Sequence, residues 1–100
     1  MRYRIDFSYD GTNFNGYQLQ PNLRTIQNEL EKAVSYLNRQ TYTTVQSSGR
    51  TDKGVHAINQ VAHFDLGVSI PTYKIKRGLN SNLPADIHII NVKLVSDHFH

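Results

Sequence analysis

The feature that most constrains the fold is a strict two-residue alternation near the start of the chain. Between residues 2 and 9, large apolar or aromatic residues occupy every odd position and polar residues every even one. The odd positions hold Tyr3, Ile5, Phe7 and Tyr9. Successive side chains of a β-strand point to opposite faces, so this pattern predicts a strand with one buried face. Such a strand needs sheet neighbours and a second layer to cover its apolar face.

The remaining chain predicts two helices and three further strands. Residues 25–38 and 71–80 have helical apolar spacing. Residues 41–47 are rich in β-branched and aromatic residues, which favour a strand. Residues 57–66 alternate between two faces, and residues 86–95 carry regularly placed Ile, Val and Leu, so each predicts a further strand. The alternation of the last strand slips at Ile89 and Ile90, which predicts a β-bulge there.

The first helix has clear boundary signals. Thr25 is a suitable N-cap, and the side chains of Glu31 and Lys32 are predicted to face solvent. The apolar stripe holds Ile26, Leu30, Ala33, Val34 and Leu37. In the second helix, Pro71 suits the first turn and Leu83-Pro84 marks the end.

The predicted order of elements is β-α-β-β-α-β. It predicts an α+β fold of the ferredoxin-like, or RRM-like, type: a two-layer sandwich with a four-stranded antiparallel sheet and both helices on one face. With 100 residues, the chain is predicted to be one domain, 1–100. This fold carries many functions, so function must be argued from particular residues.

Composition narrows the environment and the partners. There is no cysteine, so thiolate metal sites and disulfides are excluded, and a reducing compartment is favoured. The start of the chain lacks a signal-peptide core and no run is long enough to span a membrane, so we expect a cytoplasmic protein. The net charge of +3 permits a nucleic-acid partner without requiring one.

The most informative segment is residues 48–57, Ser-Gly-Arg-Thr-Asp-Lys-Gly-Val-His-Ala. One interpretation is a turn, in which Asp52 caps its own backbone and Gly54 takes a positive φ. The other is a reactive carboxylate, because Arg50 and Lys53 on either side of Asp52 favour its ionised form. An ionised carboxylate can act as a nucleophile or a base.

The segment from Gly49 to Ala57 resembles the active-site motif of the tRNA pseudouridine synthase A family. Three further stretches resemble the family in the same order: 9–18, 20–31, and the set formed by 60–65, 79–80 and 83–87. The resemblance covers essentially the whole chain, although family chains are more than twice as long. We therefore expect an N-terminal domain that carries the catalytic aspartate, without the second domain of the family.

The resemblance implies conversion of uridine to pseudouridine in the anticodon stem-loop of tRNA, with no cofactor and no metal. It places Asp52 on the catalytic aspartate and Arg50 on an arginine that positions it. It also implies a homodimer of two-domain subunits when full length, with the active cleft between the domains. A single domain should therefore fold but not catalyse. Attack on the sugar, attack on the base and elimination all remain open as the chemical route.

Several other residues are candidates for contact with RNA. Arg24 and Lys53 can bind phosphates, Tyr17 can stack on a base, and His56 can either touch RNA or brace its loop. For Arg2 and Arg4, a phosphate contact and a solvated strand face are equally good interpretations. On the second helix, a solvated face is favoured for Lys74, Lys76 and Arg77. We expect no metal site among the histidines.

Two interpretations other than an enzyme remain. A non-catalytic RNA-binding domain of the RRM type needs a Lys/Arg-Gly-Phe/Tyr aromatic pattern on its central strands, and residues 57–64 lack it. A metal-carrier or regulatory domain of ferredoxin-like fold is the other; the carrier form needs paired cysteines, which the chain lacks.

Overall fold

The computed structural model describes residues 1–47 and 56–100. Its helices are α1 (Ile26–Leu37) and α2 (Thr72–Asn82), and a short 3-10 turn covers Gly11–Asn13. Its strands are β1 (Arg2–Tyr9), β2 (Gln46–Ser47), β3 (Ala57–Asp65) and β4 (Ile87–Val95).

The strands form one sheet in the order β2-β3-β1-β4. All three strand pairs are antiparallel, and β1 lies between β3 and β4. With the two helices, this is the predicted α+β ferredoxin-like plan, which is confirmed.

The alternation of β1 gives the sheet its two faces, as predicted. All four odd-numbered residues of the strand are at most 4% exposed. Ala62 and Phe64 of β3 and Ile87 and Ile89 of β4 continue this buried face. The helices cover it with their apolar stripes, chiefly Ile26, Leu30, Ala33 and Val34 from α1 and Ile75 and Leu79 from α2.

The predicted bulge in the last strand is present. Asp6 pairs with Asn91 and Phe7 pairs with Ile89, so Ile90 is the extra residue. The Asn80 side chain of α2 stabilises the strand beside the bulge by hydrogen bonding to both the N–H and the carbonyl of Ile89. Its Oδ1 accepts from the Ile89 N–H at 2.9 Å, and its Nδ2 donates to the Ile89 carbonyl at 3.2 Å.

Within the predicted 41–47, the structure forms a strand over Gln46–Ser47 only, which pairs with β3. The backbone N–H of Thr43 donates to Ser35 Oγ at 2.8 Å, and that of Val45 donates to Glu31 Oε2 at 3.0 Å. This segment therefore uses helix side chains as hydrogen-bond partners where a strand would use a neighbouring strand.

The prediction that Glu31 faces solvent is wrong. Glu31 is 2% exposed, and its carboxylate accepts bonds from Gln27 Nε2, the Tyr42 hydroxyl and the Val45 N–H. Three donors supply the hydrogen bonds that the buried carboxylate needs. Lys32 does face solvent and pairs with Glu29 at 3.6 Å.

The helix ends otherwise follow their sequence signals. The Thr25 hydroxyl accepts from the Asn28 N–H at 3.2 Å, which confirms the predicted N-cap. The second helix begins at Thr72 after Pro71 and continues to Asn82, two residues past the predicted end. Leu83 ends it in an extended conformation.

Candidate active site

A cleft of about 490 Å³ opens at one end of the sheet. Because the strands are antiparallel, the end of β1, the start of β3 and the start of β4 meet there. The lining residues come from these three places: Ser8, Tyr9, Asp10, His56, Ala57, Ile58, Ala85, Asp86 and His88. Its volume is in the range of small-molecule and cofactor sites.

His56 stands at the entrance to β3 and contacts the turn after β1. Its Nδ1 accepts a hydrogen bond from the Gly11 N–H at 2.9 Å and lies 3.1 Å from Asp10 Oδ1. The ring braces the β1 turn with one nitrogen, and 59% of the side chain remains exposed at the cleft.

Asp10 is held in its ionised form by its own turn. Its Oδ1 accepts from the Thr12 hydroxyl at 2.6 Å and from the Thr12 N–H at 3.0 Å. These bonds, first the hydroxyl and then the backbone N–H, lower the pKa of Asp10 below its usual value, with a smaller contribution from His56. The described part of the cleft therefore carries an exposed carboxylate beside an imidazole.

Arg24 reaches the wall of the cleft through Asp86. Its guanidinium makes two bonds of 3.1 Å to the Asp86 carboxylate and one of 3.1 Å to the carbonyl of Asn13. The same group lies 3.9 Å from the centre of the Phe14 ring. Arg24 thus ties the loop after β1 to the residue before β4.

Tyr17 lies in the interior and not on the cleft surface. It is 2% exposed, and its ring centre is 6.1 Å from Tyr9 and 6.4 Å from Phe7. Its hydroxyl contacts the Ser47 hydroxyl at the end of β2. The structure therefore places Tyr17 behind the cleft wall, where it connects the loop after β1 to Ser47 at the end of β2.

Residues 48–55 lie outside the described part of the chain, and so do Asp52, Arg50 and Lys53. Their roles remain predictions. The described residues next to this segment are well held: Ser47 contacts Tyr17, and His56 is bonded to Gly11. Of the motif that ends at Ala57, only His56 and Ala57 are described, and both line the cleft.

Sequence reasoning did not select Asp10, Asp86 or His88 as site residues. A topological signal was present, because Asp10 directly follows β1 while Asp86 and His88 stand at the start of β4. The end of one strand and the start of its antiparallel neighbour lie together, so these residues must share an edge of the sheet. The resemblance covered Asp10 and Asp86 without indicating any role for them.

On the open face of the sheet, the two arginines of β1 are paired with carboxylates. Arg2 forms a bidentate pair with Asp65 at 2.9 and 3.0 Å, and Arg4 bonds Asp6 Oδ1 at 3.1 and 3.0 Å. The Arg2 bond is the main reason that the pKa of Asp65 is lowered. Paired arginines are weaker candidates for phosphate contacts than free ones.

Within the described residues, no three His, Cys, Asp or Glu side chains are grouped closely enough to hold a metal ion. No helix in residues 1–47 and 56–100 combines the length and apolar character needed to cross a membrane.

Comparison with known proteins identifies the family. A model of the tRNA pseudouridine synthase family matches residues 7–100. The chain is 50% identical over 100 residues to tRNA pseudouridine synthase A of Streptococcus thermophilus (strain CNRZ 1066), covering 100% of this chain. It is 48% identical over 99 residues to the protein of the same name from Latilactobacillus sakei subsp. sakei (strain 23K), and 52% over 99 residues to that of Maridesulfovibrio salexigens, covering 99% of this chain in both cases. The chain belongs to the tRNA pseudouridine synthase family.

The chain spans 36–40% of the length of these relatives.

Proposed function

We propose that this chain is the aspartate-carrying domain of an enzyme that converts uridine to pseudouridine in tRNA. The family match supports the reaction class. The observation that carries the proposal is local: His56 and Ala57, the described end of the motif, line the cleft at the end of the sheet. Asp52 precedes His56 by only four residues in the sequence.

In the proposed reaction, Asp52 is the nucleophile or the base. A carboxyl group with the ordinary pKa of about 3.9 is ionised at neutral pH, as this chemistry requires. The glycosidic bond from C1′ to N1 breaks, the uracil turns, and a new bond forms between C1′ and C5. The proton on C5 then leaves and N1 takes up a proton, so the product has the composition of the substrate. Arg50 is proposed to position Asp52, because its planar guanidinium can bind a carboxylate through two bonds.

The target base must leave its stack to reach such a site, which costs a few kcal/mol. Contacts to the RNA must offset that cost. Lys53 and His56 are proposed to contribute contacts near the motif. Arg24, predicted as a phosphate contact, is instead proposed to hold Asp86 and the loop after β1 at the margin of the cleft, because its guanidinium is already paired with that carboxylate. Tyr17, which is buried, is proposed to support the wall behind the cleft.

We further propose the anticodon stem-loop of tRNA as the substrate, a homodimer of two-domain subunits as the working form, and the cytoplasm as its location. These proposals rest on the family resemblance. The positive net charge of +3 agrees with an RNA partner.

The test is a chimera in which this chain replaces the 100 residues that it matches in the Streptococcus thermophilus relative. Release of tritium from tRNA that contains 5-tritiated uridine measures turnover. We expect the chimera to be active and Asp52→Asn to lower turnover by at least about a thousandfold, as loss of a nucleophile does. Asp97→Asn, an equal change at an exposed residue outside the cleft, should leave turnover unchanged.

Substantial turnover by Asp52→Asn would contradict the role of Asp52. Loss of activity in Asp97→Asn would mean that an Asp→Asn change lowers turnover by disturbing the fold, so the loss in Asp52→Asn could not be assigned to catalysis. An inactive parent chimera that still binds tRNA would favour a non-catalytic RNA-binding domain. Arg50→Lys should lose most of the activity, because lysine keeps the charge but cannot bind a carboxylate through two bonds.

A further inference from the structure

The outer surface of α2 carries three cations and no acidic residue. Lys74, Lys76 and Arg77 are all exposed, and the helix sequence from Thr72 to Asn82 contains neither Asp nor Glu. None of the ion pairs found among the described residues includes any of these three side chains. We call Tyr73, Lys74, Lys76 and Arg77 the α2 basic surface.

The N-terminus of the helix does not explain Lys74. It lies in the first turn of α2, where the partial positive charge of the helix N-terminus repels it. Lys74 and Arg77 are three residues apart, so they are neighbours on the helix surface and repel each other. These repulsions are small, but an external anion bound at this surface would relieve them.

Tyr73 adds a flat apolar surface beside the charges. Its side chain is 63% exposed, and the Arg77 guanidinium lies 5.8 Å from its ring centre. A basic surface with an exposed ring offers ion pairing to phosphates together with a face on which an unpaired base can stack.

We infer that the α2 basic surface binds the sugar-phosphate backbone of RNA outside the cleft. This inference rests on the proposed function for the kind of polyanion. From Lys74 to Asn82 the helix rises by roughly 12 Å, and residues 83–86 then lead to the cleft wall. The cations thus lie near the end of α2 that is farther from the cleft. An RNA with one nucleotide in the cleft would contact them by extending along the helix.

An anionic membrane fits the same surface less well. A helix that lies on a membrane must bury an apolar face in the lipid. The apolar residues of α2, Ile75 and Leu79, are 0% exposed because they pack into the protein core.

The test compares two double variants of the 100-residue chain that lower the net charge equally. Lys74→Gln/Lys76→Gln changes the α2 basic surface, and Lys32→Gln/Lys93→Gln changes two exposed lysines elsewhere. Fluorescence anisotropy with labelled tRNA, over a series of salt concentrations, gives the slope of log Kobs against log salt. Circular dichroism checks that both variants fold.

Each lost phosphate contact should reduce this slope by about 0.7–0.9, so the α2 variant should lose about 1.4–1.8. The control should keep the native slope. Equal slopes for the two variants, or a native chain that does not bind tRNA at all, would overturn the inference. So would an α2 variant that keeps its tRNA slope but loses binding to phosphatidylserine vesicles, since the partner would then be a membrane. Turnover by the chimera is measured separately, so failure here and failure of the proposed function give different results.

Discussion

The two helices cover the same face of the sheet but differ in how their N-termini are built. The first helix begins with a capping hydroxyl from Thr25 and has Glu29 in its first turn. The second begins after Pro71 with no side-chain cap and no acidic residue in its first turn. Capping and first-turn acids stabilise a helix, whereas first-turn cations do not. The N-terminus of α1 therefore adds to the stability of its own helix, while α2 depends more on packing against the core.

Removing the buried carboxylate of α1 should have the largest effect on stability. Glu31→Ala leaves the buried Val45 N–H without its acceptor and breaks the bonds from Tyr42 and Gln27. We expect a loss of about 3 kcal/mol, because an unsatisfied buried donor alone costs about 1–3 kcal/mol. Urea unfolding followed by circular dichroism measures it.

The matched change on α2 is Lys76→Ala, an exposed residue of the other helix. It should alter stability by no more than about 0.5 kcal/mol. Equal losses for Glu31→Ala and Lys76→Ala would show that the burial of Glu31 and its three hydrogen bonds do not contribute to stability.

Removing the cap of α1 should have a moderate effect. Thr25→Ala deletes the hydroxyl that accepts from the Asn28 N–H, and we expect a loss of about 1 kcal/mol in the free energy of unfolding. Thr25→Ser keeps the oxygen and should retain most of the stability of the native chain. If serine and alanine behave alike, the hydroxyl does not cap the helix and the contrast with α2 at this position disappears.

Giving α2 the first-turn acid that it lacks should have the smallest effect, and in the opposite direction. Lys74→Glu replaces a repelled cation by an attracted anion and should raise stability by about 0.3–1 kcal/mol at low salt. Lys32→Glu in the middle of α1 removes the pair with Glu29 and should lower stability slightly. Thermal unfolding at two salt concentrations measures both changes. A destabilising Lys74→Glu would mean that Lys74 has a stabilising partner within the fold.

The elements that depend only on the spacing of nearby residues were predicted from the sequence. The two-residue alternation identified β1, and the slip at Ile89 and Ile90 identified the bulge. The environment of Glu31 was not predictable in this way, because its partner Val45 lies 14 residues away. Helical spacing alone placed that carboxylate beside Lys32 in solvent.

The same limit applies to the candidate site: a residue in a local motif could be found from the sequence, and residues brought together by the sheet could not. A motif identified His56, which lines the cleft, because a motif is a local pattern. Asp10 and Asp86 reach the cleft only because β1 and β4 are neighbours with opposite directions, which is a property of the assembled sheet. The burial of Tyr17 likewise depends on how the loop after β1 packs over Phe7 and Tyr9.

The pair of bonds between Asn80 and Ile89 also affects how the protein meets other copies of itself. β4 is the outer strand of the described sheet, and the exposed edge of an outer strand is a site where another chain can add a strand. At Ile89 the side-chain amide already occupies both the donor and the acceptor that an incoming strand would need. The adjacent bulge at Ile90 interrupts the regular spacing of the neighbouring groups. One asparagine on the helix therefore protects the middle of this edge against sheet extension and aggregation.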